Sequence, residues 1–304
     1  MIKDALKGTV KVLIFMAVLI GLASSLIPVA DKPAKGAELI GEGVLHYALV
    51  VSSEAPEIIK QQAWEAKEVY GEFIQIADGT DDQVEINAAI AAYSTAPPFT
   101  QLADPGGIVH LTKGRFFLSD YIYLYYVTTT LEGEGLGTRL VATREGMANL
   151  IIVAEQTVLR DFVTDGNGKH PQNHIWLSSA PDIRLHEIQS MGGATQAYIY
   201  GGGHVPKRLS IRGFRARTNP EGYQIMLTQA WMEAALLSIT ESFFDRRAAS
   251  SPNYNIYIQN YDGILIALNQ FEDLEDSYPY QAIKLDNSQN IVKGLNTFGT
   301  RIRY

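Results

Sequence analysis

The 304-residue sequence has no cysteine, so it contains no disulfide, no thiolate metal ligand and no cysteine nucleophile. It also lacks a basic excess, because 25 Lys and Arg stand against 33 Asp and Glu, for a formal net charge of -8. Binding to nucleic acid depends on cations that displace counterions from phosphates. Nucleic acid is therefore not an expected partner.

Charged residues are scarce at 19%, against 46% hydrophobic residues, a balance typical of globular rather than disordered chains. Tryptophan is rare, with 3 residues, whereas tyrosine is abundant, with 16. Tyrosine combines an apolar ring with a polar hydroxyl, and it therefore suits surfaces that contact sugars or other subunits.

The segment from Val12 to Ala30 has no charged residue. As a helix it would be ~28 Å long, close to the thickness of the hydrocarbon core of a bilayer. Three lysines precede it, which predicts that the short end stays inside and the body is exported. We interpret the segment as a membrane anchor, with a cleaved signal peptide and a helix buried in an assembly as alternatives. Its candidate anchoring residues are Val12, Phe15, Leu19, Leu22 and Leu26.

The sequence divides into the hydrophobic segment 1–30, a linker with an N-terminal β/α extension over 31–76, and a main body over 77–304. Within the extension, Val44 to Ser52 has the composition of a strand, and a helical pattern begins at Pro56. The expected location is a membrane-anchored protein with an extracytoplasmic body, or a virion surface.

One apolar position recurs every 26 to 28 residues in the main body. It is occupied by Leu131, Leu159, Leu185, Ile211, Ile239 and Ile266, and the next step falls on Lys293. A second row comprises Ile175, Ile199, Ile225, Ile256 and Ile283; a third comprises Phe244, Phe271 and Phe298; a fourth comprises Asn269 and Asn296. Short strands at one period, with no helix between them, predict a β-solenoid whose coils stack ~4.8 Å apart.

The open end of a solenoid core needs a cap. The sequence ADGTDDQVEINAAIAAY, from Ala77 to Tyr93, places three aspartates before a helical run over 82–93. We expect Thr80 or Asp81 to N-cap this helix, and a face with Val84 and several alanines to cover the first coil. A calcium site is the alternative explanation for the clustered carboxylates.

Four segments resemble the pectate lyase-like superfamily of right-handed parallel β-helices, which also contains many phage tailspikes. They are DGTDDQVEINAAI, GGIVHLTKGRFFLSDYIYL, TLEGEGLGTRL and LRDFVTDGNG, and with the coils they cover about two thirds of the chain. The resemblance implies an all-β fold, a right-handed parallel β-helix with an N-terminal α-helical cap. It also implies a surface protein that binds or cuts polysaccharide, or a structural spike.

The repeat places one outward-facing residue after each isoleucine of the second row. These residues are Trp176, Tyr200, Met226, Tyr257 and Lys284, and Tyr121 and Tyr123 share one side of an earlier strand. An exposed aromatic stripe stacks on sugar rings or is covered by a neighbouring subunit. The aromatic members are therefore candidate glycan or interface residues, although the N-terminal segment is an alternative cover for the early tyrosines.

Asp161 and Glu187 align in adjacent coils, beside a basic row that includes Arg212. Two carboxylates one strand spacing apart match the short separation used by retaining glycosidases, and they could also hold calcium. Asp161, Glu187 and Arg212 are therefore the candidate catalytic group, with a structural charge ladder as the alternative. The histidines show no metal-ligand spacing, so no metal site is predicted from them.

These features predict an exported, anchored β-helix that serves as a spike, tail or surface component. Its expected partners are a polysaccharide or cell-surface glycan, other subunits of an assembly including copies of itself, and a membrane through the N-terminal segment. A polysaccharide lyase or glycosidase is the second hypothesis. A purely structural protein of a virion or filament shell is the third.

Overall fold

The structure is a computed structural model that describes residues 47–93, 106–146, 148–152, 156–169, 171–177, 182–194, 196–203, 207–216, 223–246, 255–273 and 282–300. The candidate anchor residues Val12, Phe15, Leu19, Leu22 and Leu26 lie outside these ranges. Across the ranges given above, no helix has the length and apolarity needed to cross a membrane.

The described part is mostly β. The strands are β1 (Tyr47–Val51), β2 (Ile74–Ile76), β3 (Ile108–Leu111), β4 (Gly114–Leu118), β5 (Ile122–Leu124), β6 (Thr130–Glu132), β7 (Thr138–Ala142), β8 (Ala148–Ile152), β9 (Val158–Asp165), β10 (Asn173–Leu177), β11 (Ile183–Met191), β12 (Ala197–Gly203), β13 (Arg208–Arg212), β14 (Arg215–Ala216), β15 (Tyr223–Thr240), β16 (Phe243–Arg246), β17 (Ile256–Ala267), β18 (Gln270–Asp273), β19 (Ile283–Asp286), β20 (Gln289–Lys293) and β21 (Thr297–Thr300). The α-helices are α1 (Glu57–Tyr70) and α2 (Gln83–Ala91), and short 3-10 helices span Gly71–Phe73 and Gly135–Gly137.

The strand pairings in these ranges are parallel and sort the strands into three sheets. Sheet 1 contains β1, β3, β6, the first part of β9 and β11, β13, the second part of β15 and β17, and β20. Sheet 2 contains β4, β7, the second part of β9 and β11, β14, β16, β18 and β21. Sheet 3 contains β5, β8, β10, β12, the first part of β15 and β17, and β19. The chain visits sheets 1, 2 and 3 in turn, as a parallel β-helix requires.

The first apolar row is confirmed as one inward-facing ladder in sheet 1. Its six members pair in direct register from Leu131 to Ile266, and Ile266 pairs with the exposed Lys293. The ladder extends backwards through Val109 to Ala48. All of its aliphatic members are buried, and burying each large aliphatic side chain contributes roughly 1.5–3 kcal/mol to folding.

The second row is confirmed in sheet 3, where Ile175, Ile199, Ile225, Ile256 and Ile283 pair in register. The phenylalanine row is confirmed in sheet 2; the rings of Phe244 and Phe271 stack at 4.9 Å. At the corner before sheet 2, the Asn269 side-chain nitrogen donates to the Asn296 side-chain oxygen at 3.1 Å and to the Ile239 carbonyl at 2.9 Å. The interior polar groups are thus paired between coils.

Helix α2 covers the first coil, but with a different face from the one predicted. Its buried residues are Gln83, Ile86, Ala89 and Ile90, whereas Val84 is 58% exposed. The N-cap residue is Asp82, and no side chain caps the helix. Thr80 instead donates its hydroxyl and its backbone N–H to the Asp78 carboxylate, which closes a local turn.

The side chains of this helix also satisfy the backbone of the first strand edges. Asp82 accepts hydrogen bonds from the N–H groups of Gly79 and Phe117, both at 2.7 Å. The Gln83 side-chain oxygen accepts from the Ser119 N–H at 3.0 Å, and the Asn87 oxygen accepts from the Tyr123 N–H at 2.9 Å. These side chains take the place of a neighbouring strand, so the edge that would attract another chain is closed.

We expect Asp82→Ala to lower the free energy of unfolding by about 1–3 kcal/mol, because two backbone donors lose their acceptor beneath the cap. Chemical denaturation monitored by circular dichroism would measure the loss. Asp81→Ala is the matched control, since Asp81 is exposed. Equal stability of the two variants would contradict this account of the cap.

Candidate functional site

The outer surface of sheet 3 carries a continuous row, which we call the aromatic row. Trp176, Tyr200, Met226, Tyr257 and Lys284 pair in direct register, as the repeat predicts. The structure extends the row to Ile151 and Tyr123 in the two preceding coils. Four aromatic residues therefore occupy one line along the solenoid.

The aromatic side chains are held in different ways. Trp176 projects outward and is 42% exposed. Tyr200 lies over Gly202 so closely that no β-carbon would fit there, which explains the glycine. Tyr257 stacks on Tyr223 at 5.3 Å and donates its hydroxyl to Asp286 at 3.0 Å.

At the early end of the row, three tyrosines of the YIYLYY segment contact each other. The rings of Tyr121 and Tyr123 meet edge to face at 5.5 Å, and those of Tyr123 and Tyr125 stack at 5.3 Å. The backbone of Tyr121 and Tyr123 is fixed by Asn87 of the cap helix. The cap thus positions the first aromatic platform.

A second outward row, the polar row, runs beside the aromatic row, two residues further along each strand. Gly202, Thr228, Gln259 and Asp286 pair in register, and all are partly exposed. Together the two rows present ring faces next to hydroxyl, amide and carboxylate groups. Sugar-binding surfaces need this combination, because a pyranose has an apolar face and a rim of hydroxyl groups.

The predicted carboxylate pair lies elsewhere, at the corner between sheets 1 and 2. Asp161 and Glu187 fall in adjacent coils and both have left-handed backbones, with φ of 61° and 51°. The next residue of this column is Gly213, with φ of 65°, and the Glu187 carboxylate occupies the space that a β-carbon there would need. The corner turn therefore projects both acids outward.

The structure separates Arg212 from this pair. Its guanidinium donates to Glu241 at 2.8 Å rather than to Asp161 or Glu187. Burial raises the pKa of Asp161, with the nearby charge of Glu187 acting in the same direction. Asp161 is thus the better proton donor of the two acids.

Sequence analysis missed a row of ionisable residues on the outer face of sheet 1, the charged row. Its members pair in register and are His110, Glu132, Arg160, His186 and Arg212. The signal was weak, because the step from Val109 to Leu131 is 22 residues and departs from the period. Counting backwards by 26 to 28 residues therefore fails to find His110.

His110 and Glu132 belong to a tight cluster at the start of this row. The His110 ring nitrogens lie 3.1 Å from the Glu132 carboxylate and 3.4 Å from that of Glu134. Arg160 bonds the other Glu132 oxygen, and Tyr47 stacks on the imidazole at 5.9 Å. The cluster ties four successive strands of sheet 1 together.

The charges in this cluster stabilise one another. Burial disfavours the imidazolium, but the hydrogen bonds from the two glutamates outweigh it and raise the pKa of His110 to about 9. Burial likewise disfavours the Glu132 carboxylate, yet its bonds to His110 and Arg160 lower its pKa. An ionised lock results, and it leaves no uncommitted base for chemistry.

His174 also has a defined structural role. Its Nδ1 lies 2.9 Å from the Thr164 hydroxyl, which is 2.7 Å from the Ser190 hydroxyl, while Nε2 donates to the Gly193 carbonyl at 2.8 Å. Burial lowers the pKa of His174 to about 4, so the imidazole is neutral. All three side chains are fully buried, so this hydroxyl–histidine chain cannot meet a substrate.

Among the described residues, no group of three or more His, Asp or Glu is arranged to hold a metal ion. The aspartates before α2 are engaged otherwise. Asp78 accepts from Thr80, and Asp82 accepts from Gly79 and Phe117. They serve the turn and the cap.

No protein-family model matches the chain, and no curated protein matches it either. Among solved structures, the chain is similar to ORF18 of Geobacillus virus E2, with 16% identity and a TM-score of 0.37, over 80% of this chain and 44% of that one. It is also similar to YbhC of Escherichia coli, with 10% identity and a TM-score of 0.37, over 87% of this chain and 73% of that one. Similarity at this level carries no information on activity, ligand or partner.

The His110 cluster predicts a specific pH dependence of stability. Because the folded pKa of about 9 exceeds the ordinary value of 6.5, its stabilisation is complete below pH 6.5 and is lost as the pH rises through 9. We expect the melting temperature of the wild type to fall over this interval more steeply than that of His110→Gln. His186→Gln, in the same row, should keep the wild-type slope. Parallel curves for wild type and His110→Gln would contradict the lock.

Proposed function

We propose that this protein is a right-handed parallel β-helix of the pectate lyase-like type that acts as a surface display component and binds a glycan along sheet 3. The observation that carries the proposal is the aromatic row in unbroken register beside the polar row. Repeated ring faces ~4.8 Å apart suit a chain of sugar rings better than a single small ligand.

Trp176 supports this proposal most strongly. A large exposed ring on the face of a sheet loses solvation energy unless something stacks on it. Lys284, whose ammonium lies 5.3 Å from the centre of the Tyr257 ring, adds a cation at the far end of the row. That cation favours a glycan with acidic or hydroxyl-rich units.

The arrangement of the two faces favours binding over cleavage. The aromatic row lies on sheet 3, whereas Asp161 and Glu187 lie at the corner between sheets 1 and 2. A sugar chain stacked on Trp176 and Tyr200 therefore follows a line that the carboxylates do not share. A polysaccharide enzyme needs its platforms and its acids in one groove.

We further propose that the protein is displayed outside the cytoplasm, on a membrane or a virion surface. The support is the uncharged segment from Val12 to Ala30 with three lysines before it. In this arrangement the segment is the anchor, and the β-helix projects the aromatic row towards its ligand. Other subunits of the assembly contact the remaining outer faces.

The aromatic row is testable by substitution. We expect Trp176→Ala, Tyr200→Ala and Tyr257→Ala each to weaken glycan binding roughly 2- to 10-fold, since a stacked ring contributes about 0.5–1.5 kcal/mol. Combined in one chain, they should abolish signal on a glycan array. Trp64→Ala is the matched control, because Trp64 is an exposed tryptophan on α1. Absence of wild-type binding to every glycan would remove this proposal.

A second function, a polysaccharide lyase or glycosidase, is favoured by one observation. The pKa of Asp161 is raised by burial, and Glu187 lies in the adjacent coil. A protonated acid beside an ionised one is the pairing that glycosidic cleavage uses. In this case the corner column, and not the aromatic row, would be the site.

The second function predicts that Asp161→Asn abolishes the release of reducing sugars, or of unsaturated products, from acidic polysaccharides. Glu241→Gln serves as control, because Glu241 lies in the same corner column and is paired with Arg212. Release that survives Asp161→Asn, or its absence from the wild type, would rule out this site.

A further inference from the structure

The outer surface of sheet 1 changes character along the solenoid. In the early coils it carries the charged row. In the last two coils the same columns hold exposed apolar residues, namely Leu265 and Val292 on the strands and Leu268 and Leu295 at the corner. Between them lie Ala267 and Gly294, which pack closely against each other. We call Leu265, Ala267, Leu268, Val292, Gly294 and Leu295 the leucine patch.

Leu268 makes the patch unlikely to be accidental surface scatter, because two unfavourable choices coincide there. Its backbone is left-handed, with φ of 59°, and its side chain is 56% exposed. The same corner position holds Asp161, Glu187 or Gly213 in earlier coils. A bulky residue in this conformation costs roughly 1–2 kcal/mol, and the coil itself gains nothing by exposing it.

Leu295 continues the same column and is the most exposed large hydrophobic residue among those described, at 83%. The backbone N–H of Leu268 donates to the Leu295 carbonyl at 2.7 Å, which fixes the two residues in adjacent coils. Val292 likewise lies beside Leu265 in sheet 1. The four large side chains form one contiguous apolar area rather than separate contacts.

We propose that the leucine patch is a homotypic interface, through which two copies of this chain associate side by side with their solenoids antiparallel and only the last two coils overlapping. A patch of one chemical character is its own complement, as a two-fold interface requires. This proposal goes beyond the glycan function, because it concerns sheet 1 and not sheet 3.

The charges around the patch determine the direction. In a parallel arrangement, Arg160 and Arg212 of one copy would face the same arginines of the other, and like charges at an interface are destabilising. In the antiparallel arrangement the charged rows extend away from each other. The apolar ends alone then meet.

The size of the patch sets the strength of the contact. Six residues a side are far fewer than the roughly 20–30 of a stable complex. The dimer should therefore be weak and concentration-dependent. Anchoring on one surface would raise the local concentration and favour it.

The absence of cysteine from the sequence allows a direct test with single-cysteine variants of the full chain in mild detergent. We expect Leu295→Cys to form a disulfide-linked dimer on oxidation, since residue 295 lies near the two-fold axis. Adding Leu268→Asp to that variant should reduce the dimer at least tenfold. Leu136→Cys is the matched control, because Leu136 is exposed on the 3-10 turn away from the patch, and it should not cross-link.

A second variant separates association from stability. Leu268→Gly removes both the side chain and the backbone strain, so its melting temperature should equal or exceed that of the wild type, while sedimentation velocity shows weaker dimerisation. The proposal is overturned if Leu295→Cys fails to cross-link, if the cross-link persists with Leu268→Asp, or if the wild type stays monomeric at every concentration. A different occupant of the patch would give the last of these results.

Discussion

The structure depends on the direct stacking of each coil on the next. Parallel hydrogen bonds connect equivalent residues, so an aliphatic residue such as Leu159 lies over Leu185 and then Ile211. Once this register is set, every outward residue is also set over its equivalents. Rows of aromatic, polar and charged side chains therefore arise from one repeated backbone geometry. A one-residue slip would exchange the core with the surface.

This geometry gives each face of the solenoid a separate role. Sheet 3 offers rings and polar groups to a ligand, while sheet 1 begins with an ion-paired lock and ends in an apolar patch. The two ends differ as well. The first coil is closed by Asp82, Gln83 and Asn87 of the cap, whereas the ladder in the last coil ends at the exposed Lys293. An inward-pointing lysine at an edge discourages further strand addition, so association is directed to the sides.

The candidate site could be predicted in part. The aromatic row followed from the second-row isoleucines, because the residue after an inward position must point outward. The charged row was found only from Arg160 onward, since the shorter step before Leu131 concealed His110 and Glu132. The covering face of α2 was mispredicted for a different reason. Gln83 is polar, and nothing local indicates that its amide will pair with the backbone of Ser119.

By itself, the sequence determined the periodic features: the parallel coils, their inward ladders and the alignment of Trp176 with Tyr200 and Tyr257. These follow from a repeat in which local alternation and the stacking period agree. Only the tertiary structure decided which sheet each row occupies, that Arg212 pairs with Glu241 instead of the Asp161 column, and that Leu268 stands in a left-handed corner. The physical reason is that a period fixes which residues are neighbours along the axis, whereas the bends between sheets, which a period does not encode, fix which rows face the same side.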